Sequence, residues 1–232
     1  LETGDKILIK AIQPNDLTVF PSSGPAEITL LQIGAYTTVL EIQDPEGDDH
    51  GPGNYTYPTD AVFEAQVFDI DTFRVSYNDK YVLFDFTFFG PITNPWGSGF
   101  DLSLQTMDVY IDMDPGAGSG ARQLLPGRNV TLEEGFGWDI ALWAEGWYPE
   151  ILSPDPANGE PMNTNVEMKI LVDPATNTVT LRVPRSVFGD STPENWAFSA
   201  MVMSQDGYPS LGVWRIREDR KSTRLNSSHR IR

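Results

Sequence analysis

Alternation of apolar and polar positions dominates the chain. In residues 81–89, Val82, Phe84, Phe86 and Phe88 fall on one face and Tyr81, Asp85 and Thr87 on the other. That is the two-residue period of a half-buried strand. Residues 72–77 repeat it, with Phe73, Val75 and Tyr77 opposite Arg74 and Ser76, and Asn78-Asp79 between the two segments predicts a hairpin. The row of phenylalanines is read as core. Residues 104–112 set Gln105, Met107, Val109 and Ile111 against Thr106, Asp108, Tyr110 and Asp112, an oily face backed by one with two carboxylates and a phenol. Residues 137–147 are the most aromatic segment, with Trp138, Ile140, Leu142 and Ala144 one way and Asp139, Trp143 and Glu145 the other.

The remaining segments extend the same pattern. Residues 166–172 and 178–183 predict a second hairpin across 173–177, and residues 184–189 a helical turn ended by Gly189. Residues 196–204 form a strand with Trp196, Phe198, Ala200 and Val202 inward, and 211–216 start a final strand. Short strands are also expected at 6–12, 26–33 and 36–42, and loops at 90–100 and 149–161. No long helix or internal repeat interrupts the series. The expected class is all-β, an antiparallel two-sheet β-sandwich.

One stretch breaks the alternation altogether. Residues 44–58 pack four carboxylates, three glycines and three prolines into fifteen positions and close on Tyr55 and Tyr57. Neither a helix nor an interior strand tolerates that composition, so this is a structured loop. Its crowded carboxylates, Asp44, Glu46, Asp48 and Asp49, repel one another unless a cation, backbone amides or open water relieves them. Two readings stand: a solvated acidic turn, or a calcium-bound loop, since hard cations favour carboxylate and carbonyl oxygens on irregular backbone. The loop does not fit the EF-hand pattern. Residues 112–121 begin like one, but Gly116 stands where a third ligand belongs and Gln123 where the closing glutamate belongs. That segment is read as a flexible glycine-rich turn.

Composition narrows the classes. The chain has 232 residues, 40% of them hydrophobic and 11% aromatic, enough for one large β domain. A net charge of −17 argues against nucleic acid or an anionic membrane surface as a partner. No apolar run is long enough to span a membrane. Cysteine is absent, which excludes disulfides, zinc–thiolate sites and thiol nucleophiles. The chain starts at Leu1 and is read as an internal fragment. Residues 219–232 turn abruptly basic, with five of the 16 basic residues and one of the 33 acids, leaving 11 against 32, or −21, in the body. This tail resembles translated sequencing-adapter read-through and is expected to be non-native, so His229 within it is set aside. Expected units are therefore 1–41, the end of a preceding β domain or lead-in strands; 42–218, the sandwich; and 219–232, the tail.

Aromatic residues supply the candidate ligand-binding set. Trp143 lies between Asp139 and Glu145 on a polar face. Sugar-binding sheets use that arrangement, the ring stacking on a pyranose while acids accept its hydroxyls; the competing reading has Trp143 covered by a loop such as 90–100. Trp96, between Pro95 and Gly97, is either a loop plug or an exposed platform, and Trp147 after Gly146 suits either part. Tyr57 and Tyr110 complete the set.

Several motifs, in order, carry a family resemblance. They are the acidic loop continued to Thr59-Asp60 with Val62-Phe63, then Phe68-Asp69-Ile70, Asn94-Pro95-Trp96-Gly97, Leu104-Gln105 and Asp108-Val109-Tyr110-Ile111-Asp112. Leu125-Pro126-Gly127-Arg128-Asn129, Gly137-Trp138-Asp139 and Glu145-Gly146-Trp147 follow. From about residue 42 to 217 the chain resembles the glucodextranase C-terminal module family, and residues 183–204 are also similar to family 9 carbohydrate-binding modules and DOMON domains.

The resemblance implies a noncatalytic carbohydrate- or cell-envelope-binding module from a secreted amylolytic protein of the glucodextranase or pullulanase kind. It implies an extracellular or cell-surface location and a polysaccharide partner, an α-glucan or a cell-wall glycan, beside neighbouring domains of the parent chain. It also strengthens calcium binding at Asp44, Glu46, Asp48 and Asp49. A last strand is missing relative to the family pattern, which leaves one sheet edge open.

Three other functions compete with this one. A purely structural packing or surface-assembly domain would bury the tryptophans at a domain contact. A glycosidase needs two suitably spaced carboxylates, and acid pairs abound here without discriminating. No Gly-x-Ser-x-Gly or His-Glu-x-x-His motif occurs. A haem-binding DOMON-like domain would draw axial ligands from His50 and the methionines.

Overall fold

The computed structural model describes residues 35–49 and 57–217 together with the backbone of 227–231. Eleven strands appear among these residues: β1 Thr37–Gln43, β2 Ile70–Tyr77, β3 Tyr81–Phe88, β4 Gln105–Asp112, β5 Ile140–Ala144, β6 Glu150–Pro154, β7 Pro161–Asn163, β8 Lys169–Asp173, β9 Thr178–Pro184, β10 Ala197–Ser204 and β11 Ser227–Ile231. They form two antiparallel sheets, ordered β1-β2-β3-β9-β8 and β11-β10-β4-β5-β6-β7. The expected β-sandwich is the fold.

The alternation seen in the sequence is the cause of the layering. Val82, Phe84, Phe86 and Phe88 of β3, with Phe73 and Val75 of β2, meet Met107, Val109 and Ile111 of β4, Ile140, Leu142 and Ala144 of β5, and Phe198, Ala200 and Val202 of β10 in one buried core. Apolar area withdrawn there stabilises the fold by roughly 25 cal/mol per Å². Arg185–Phe188 is the expected helical turn, in 3-10 form, and Gly189 follows it at φ +59°.

Three expectations about the elements meet a different outcome. Residues 149–161, expected as loop, contain β6 and the start of β7, joined by a turn that Asp155 N closes on Glu160 O at 2.8 Å. Pro149, Pro154 and Pro161 masked them, yet proline is at home at strand ends and on sheet edges. The last strand expected at 211–216 does not form; Glu150 instead accepts from Gly212 N at 2.8 Å and from Trp214 Nε1 at 3.3 Å, pinning that segment beside β6. The edge of β10 carries β11, with Phe198 opposite Ile231 and Val202 opposite Ser227. The strand expected at 36–42 is β1, which pairs with β2 from Thr37↔Tyr77 to Gln43↔Thr72. The expected strands at 6–12 and 26–33 lie outside the described residues.

A second core lies on the outward face of the second sheet. Between β4 and β5 the chain makes a long excursion that turns back on itself through the bridges Ala121↔Trp138 and Gln123↔Thr131. It lays Leu124 and Leu125 over Tyr110, Trp143, Met201 and Met203, and Ile216 joins them. The outward face is therefore covered.

Candidate functional site

The candidate residues are sorted by that covering layer. Trp143 and Tyr110, expected to present a ring to ligand, are 3% and 1% exposed. Their polar face is real, but its partners are internal. Arg128, from the excursion, grips Asp108 through Nε–Oδ2 at 2.7 Å and Nη2–Oδ1 at 3.0 Å, with both side chains fully buried. The Tyr110 hydroxyl donates to Asp108 Oδ2 at 2.7 Å and accepts from Leu125 N at 3.2 Å. The Arg128 guanidinium stands 4.7 Å over the Trp143 ring. Trp143 thus holds a cation–π partner where a sugar was expected, and the loop that covers it is 121–130, not 90–100. Burial works to strip the charge from Arg128, but Asp108 outweighs it and holds the guanidinium pKa above its usual value. Burial also pushes the Tyr110 phenol well up, helped by the Asp108 charge. Trp138 departs from its expected face too and sits in the second core, because regular β5 begins only at Ile140.

The other candidates gather at one end of the sandwich, where β1, β3, β5 and β10 finish and β2, β4 and β6 begin. Loop 90–104 and the 145–149 turn interlock there. Phe100 N donates to Gly146 O at 3.3 Å, and a Cβ on Gly146 would stand 2.0 Å from Leu102 O. Buried Glu145 accepts from Tyr148 N and, at 3.0 Å, from Gln205 Nε2. Gln205 Oε1 in turn accepts from Asp206 N at 2.6 Å. Burial raises the Glu145 carboxyl above its ordinary range. Trp96 meets Phe63 edge-on with centroids 5.9 Å apart, lies under the Arg217 guanidinium at 6.0 Å, and borders Gly207. It is partly buried and serves as a plug. Trp147, in the same turn, is partly exposed. Sequence reading passed over Tyr148, Tyr208 and Trp214. Tyr148 is 41% and Tyr208 75% exposed. Trp214 lines a cleft of about 290 Å³ with Pro126, Gly127, Gly212, Val213 and Ile216. None of the three lies in an alternating strand, so periodicity carried no signal for them.

The acidic loop opens onto the same end. Tyr57 donates from its hydroxyl to Glu64 O at 3.0 Å, accepts there from Val67 N at 3.1 Å, and packs its ring 5.7 Å from Phe68. It is a strut, and burial and the Asp49 charge push its phenol pKa far up. Asp44, Glu46 and Asp48 are partly or fully exposed whereas Asp49 is buried. Asp69, absent from the expected ligand set, joins them: it is fully buried and takes the Gly47 amide on Oδ2 at 2.7 Å. Burial, opposed by that hydrogen bond, and then the charges of Asp49, Asp48 and Glu46 raise its carboxyl pKa.

A separate acidic group brings Asp112, Asp114 and Asp139 together with oxygens within 4.8 Å, a spacing that could hold a metal. Asp139 lies outside any local motif, which is why residues 112–121 alone looked unpromising. Each of the three already accepts a hydrogen bond: Asp112 from Asp114 N at 3.1 Å, Asp139 from Met113 N at 2.8 Å, and Asp114 from the Ser119 hydroxyl. Burial raises the carboxyl pKa of Asp112 and of Asp139. For the haem reading, Met107, Met168, Met201 and Met203 are core residues, and His50 lies outside the described residues.

Two facing antiparallel sheets, with aromatic and acidic loops collected at one end, define a β-sandwich binding module. Residues 39–228 match the family described as the C-terminal, SLH-like binding module of glucodextranase, and the chain belongs to that family. A comparison with curated proteins found no match. No helix among the described residues is long and apolar enough to cross a membrane.

Proposed function

We propose that the module binds polysaccharide, an α-glucan or a cell-wall glycan, and so holds a secreted amylolytic parent protein on its substrate or at the cell surface. The carrying observation is an aromatic set, exposed Tyr148 and Tyr208 with partly buried Trp147 and Trp214, in a chain of a binding-module family. Aromatic rings stack on the apolar faces of pyranoses. Glu150 fixes Trp214 by its indole N–H, so little side-chain freedom is lost when a ligand meets it. The binding role needs no catalytic group, and Glu145 and Glu150 at this end are engaged in holding loops.

A second reading is supported by one observation: Tyr208, Leu211 and Val213 are 75%, 67% and 45% exposed along one short segment. An apolar run of that kind also suits a contact with a neighbouring domain of the parent chain. Titration of the full chain with soluble starch, dextran and cell-wall polysaccharide, followed by tryptophan fluorescence, separates the two. Saturable binding, weakened about tenfold or more in Trp147→Ala or Trp214→Phe, is the expected result. No binding to any glycan sinks the carbohydrate reading and leaves the packing role.

A further inference from the structure

Asp69 stands directly before β2 with its carboxylate withdrawn from water. One oxygen takes the Gly47 amide at 2.7 Å. The other, Oδ1, is enclosed and accepts no hydrogen bond. An enclosed carboxylate oxygen without a donor is unfavourable, and its charged surroundings aggravate this. The charges acting on Asp69 most strongly belong to Asp49, Asp48 and Glu46, all of its own sign.

The backbone holds this crowding in place. Asp44 N donates to Asp71 O at 2.8 Å, tying the loop entrance to the start of β2. Gly47, at φ +88°, turns the chain so that its amide faces Asp69, a conformation other residues adopt only under strain. Gln66 Nε2 holds Glu46 Oε1 at 2.7 Å on the open side. Asp49 is 3% exposed and faces the Tyr57 hydroxyl. A fold that spends this many contacts on gathering like charges implies a counter-charge.

We propose that Asp69 and Asp49 are the inner ligands of a divalent-cation site, with Asp48 and Glu46 on its open side, and that the ion is a hard cation of the calcium class. The donors are oxygens on irregular backbone, the preference of such ions, and the chain holds no cysteine to favour a softer one. The site stands independently of any glycan. The Asp112, Asp114 and Asp139 oxygens lie closer together, but none of them is enclosed without a donor as Asp69 Oδ1 is.

The test uses the full chain stripped with chelator, titrated with calcium by calorimetry and melted with and without it, beside Asp69→Asn and Asp114→Asn. Wild type is expected to gain roughly 5–10 °C at calcium near a hundred times its Kd. Asn at 69 keeps an oxygen for the Gly47 amide but removes the charge. It should weaken calcium about tenfold or more, melt no lower than wild type in chelator, and lose the shift that Asp114→Asn retains. No calcium shift in wild type, or an undiminished one in Asp69→Asn, overturns the proposal; a proton shared among the carboxylates would give the first of these outcomes. Should Asp69→Asn lack the far-ultraviolet spectrum of a folded β protein, Asp49→Asn is judged by the same loss of affinity.

Discussion

Replacing Arg128 with Met tests whether the Asp108–Arg128–Trp143 assembly is structural. Met approximates the length of the arginine stem and removes only its fork and charge. Both side chains of the ion pair are fully buried, so Asp108 would be left with the Tyr110 hydroxyl alone. The carbonyls of Pro126 and Trp214, which Arg128 Nη1 also serves, would lose their donor. Removing one partner of a buried pair costs about 3–5 kcal/mol, which in a domain of this size lowers Tm by roughly 6–20 °C. Urea unfolding at pH 7, followed in parallel by circular dichroism and tryptophan fluorescence, measures it. The double variant Asp108→Leu/Arg128→Met leaves no stranded charge and should recover more than half the loss. An Arg128→Met protein within about 0.5 kcal/mol of wild type would refute the reasoning, because the pair would then behave as if solvated.

Gly146→Ala places a methyl group 2.0 Å from Leu102 O and 2.6 Å from the Ser98 side chain; the interlock of loop 90–104 with the 145–149 turn should loosen by about 1–3 kcal/mol or more, read from the same urea curves. Glu145 gives a pH dependence of defined sign. Burial raises its folded pKa above the ordinary 4.5, so the folded state holds the proton more tightly than the unfolded chain. Its contribution is most favourable below pH 4.5 and is lost as pH rises through the folded value. Unfolding midpoints in chelator should therefore decline with pH from about 4.5 upward, and Glu145→Gln should flatten the decline; a midpoint rising over that window in wild type, unchanged by the substitution, contradicts the assignment. Ending the chain after Arg217 would strip β11 from β10 and bare a strand edge; light scattering should report concentration-dependent association, and a strictly monomeric product would argue that another segment shields the edge.

The sandwich was legible because its interior obeys a period of two in β3, β4 and β10 and, beyond the irregularity between Ile70 and Thr72, in β2. Periodicity reports only that a face is apolar or polar. It does not report what stands over a polar face, and here lay the main departure. Asp108, Tyr110 and Trp143 alternate correctly to the outward side, yet Arg128, eighteen residues beyond Tyr110, folds back to neutralise and cover them. A lone arginine in Leu-Pro-Gly-Arg-Asn gives no local sign of that destination. Asp69 escaped notice for a similar reason. It follows Phe68 just ahead of an ordinary strand, and only the β1–β2 pairing sets it beside a loop more than twenty residues earlier. Short strands bounded by proline, β6 and β7, were lost to a rule that reads proline as punctuation without regard to strand ends.

The acidic loop and the aromatic end share more than an address. Rings run from one to the other: Tyr57 to Phe68 at 5.7 Å, Phe68 to Phe63 at 5.9 Å, and Phe63 to Trp96 at 5.9 Å, with Arg217 4.9 Å over Phe63. Tyr57 reports on the loop through Asp49, and Trp96 plugs the loop that interlocks with the Trp147 turn. Close-packed rings transmit displacement because a shifted neighbour leaves no slack. A cation that draws Asp49 toward Asp69 therefore bears on the aromatic end through this row. Linkage makes the consequence reciprocal: if calcium tightens glycan binding by some factor, saturating glycan tightens calcium by the same factor. Calcium calorimetry with and without saturating glycan measures that factor directly. Equal calcium affinities in the two titrations would mean that the row of rings is a rigid divider and that the end of the sandwich carries two independent sites.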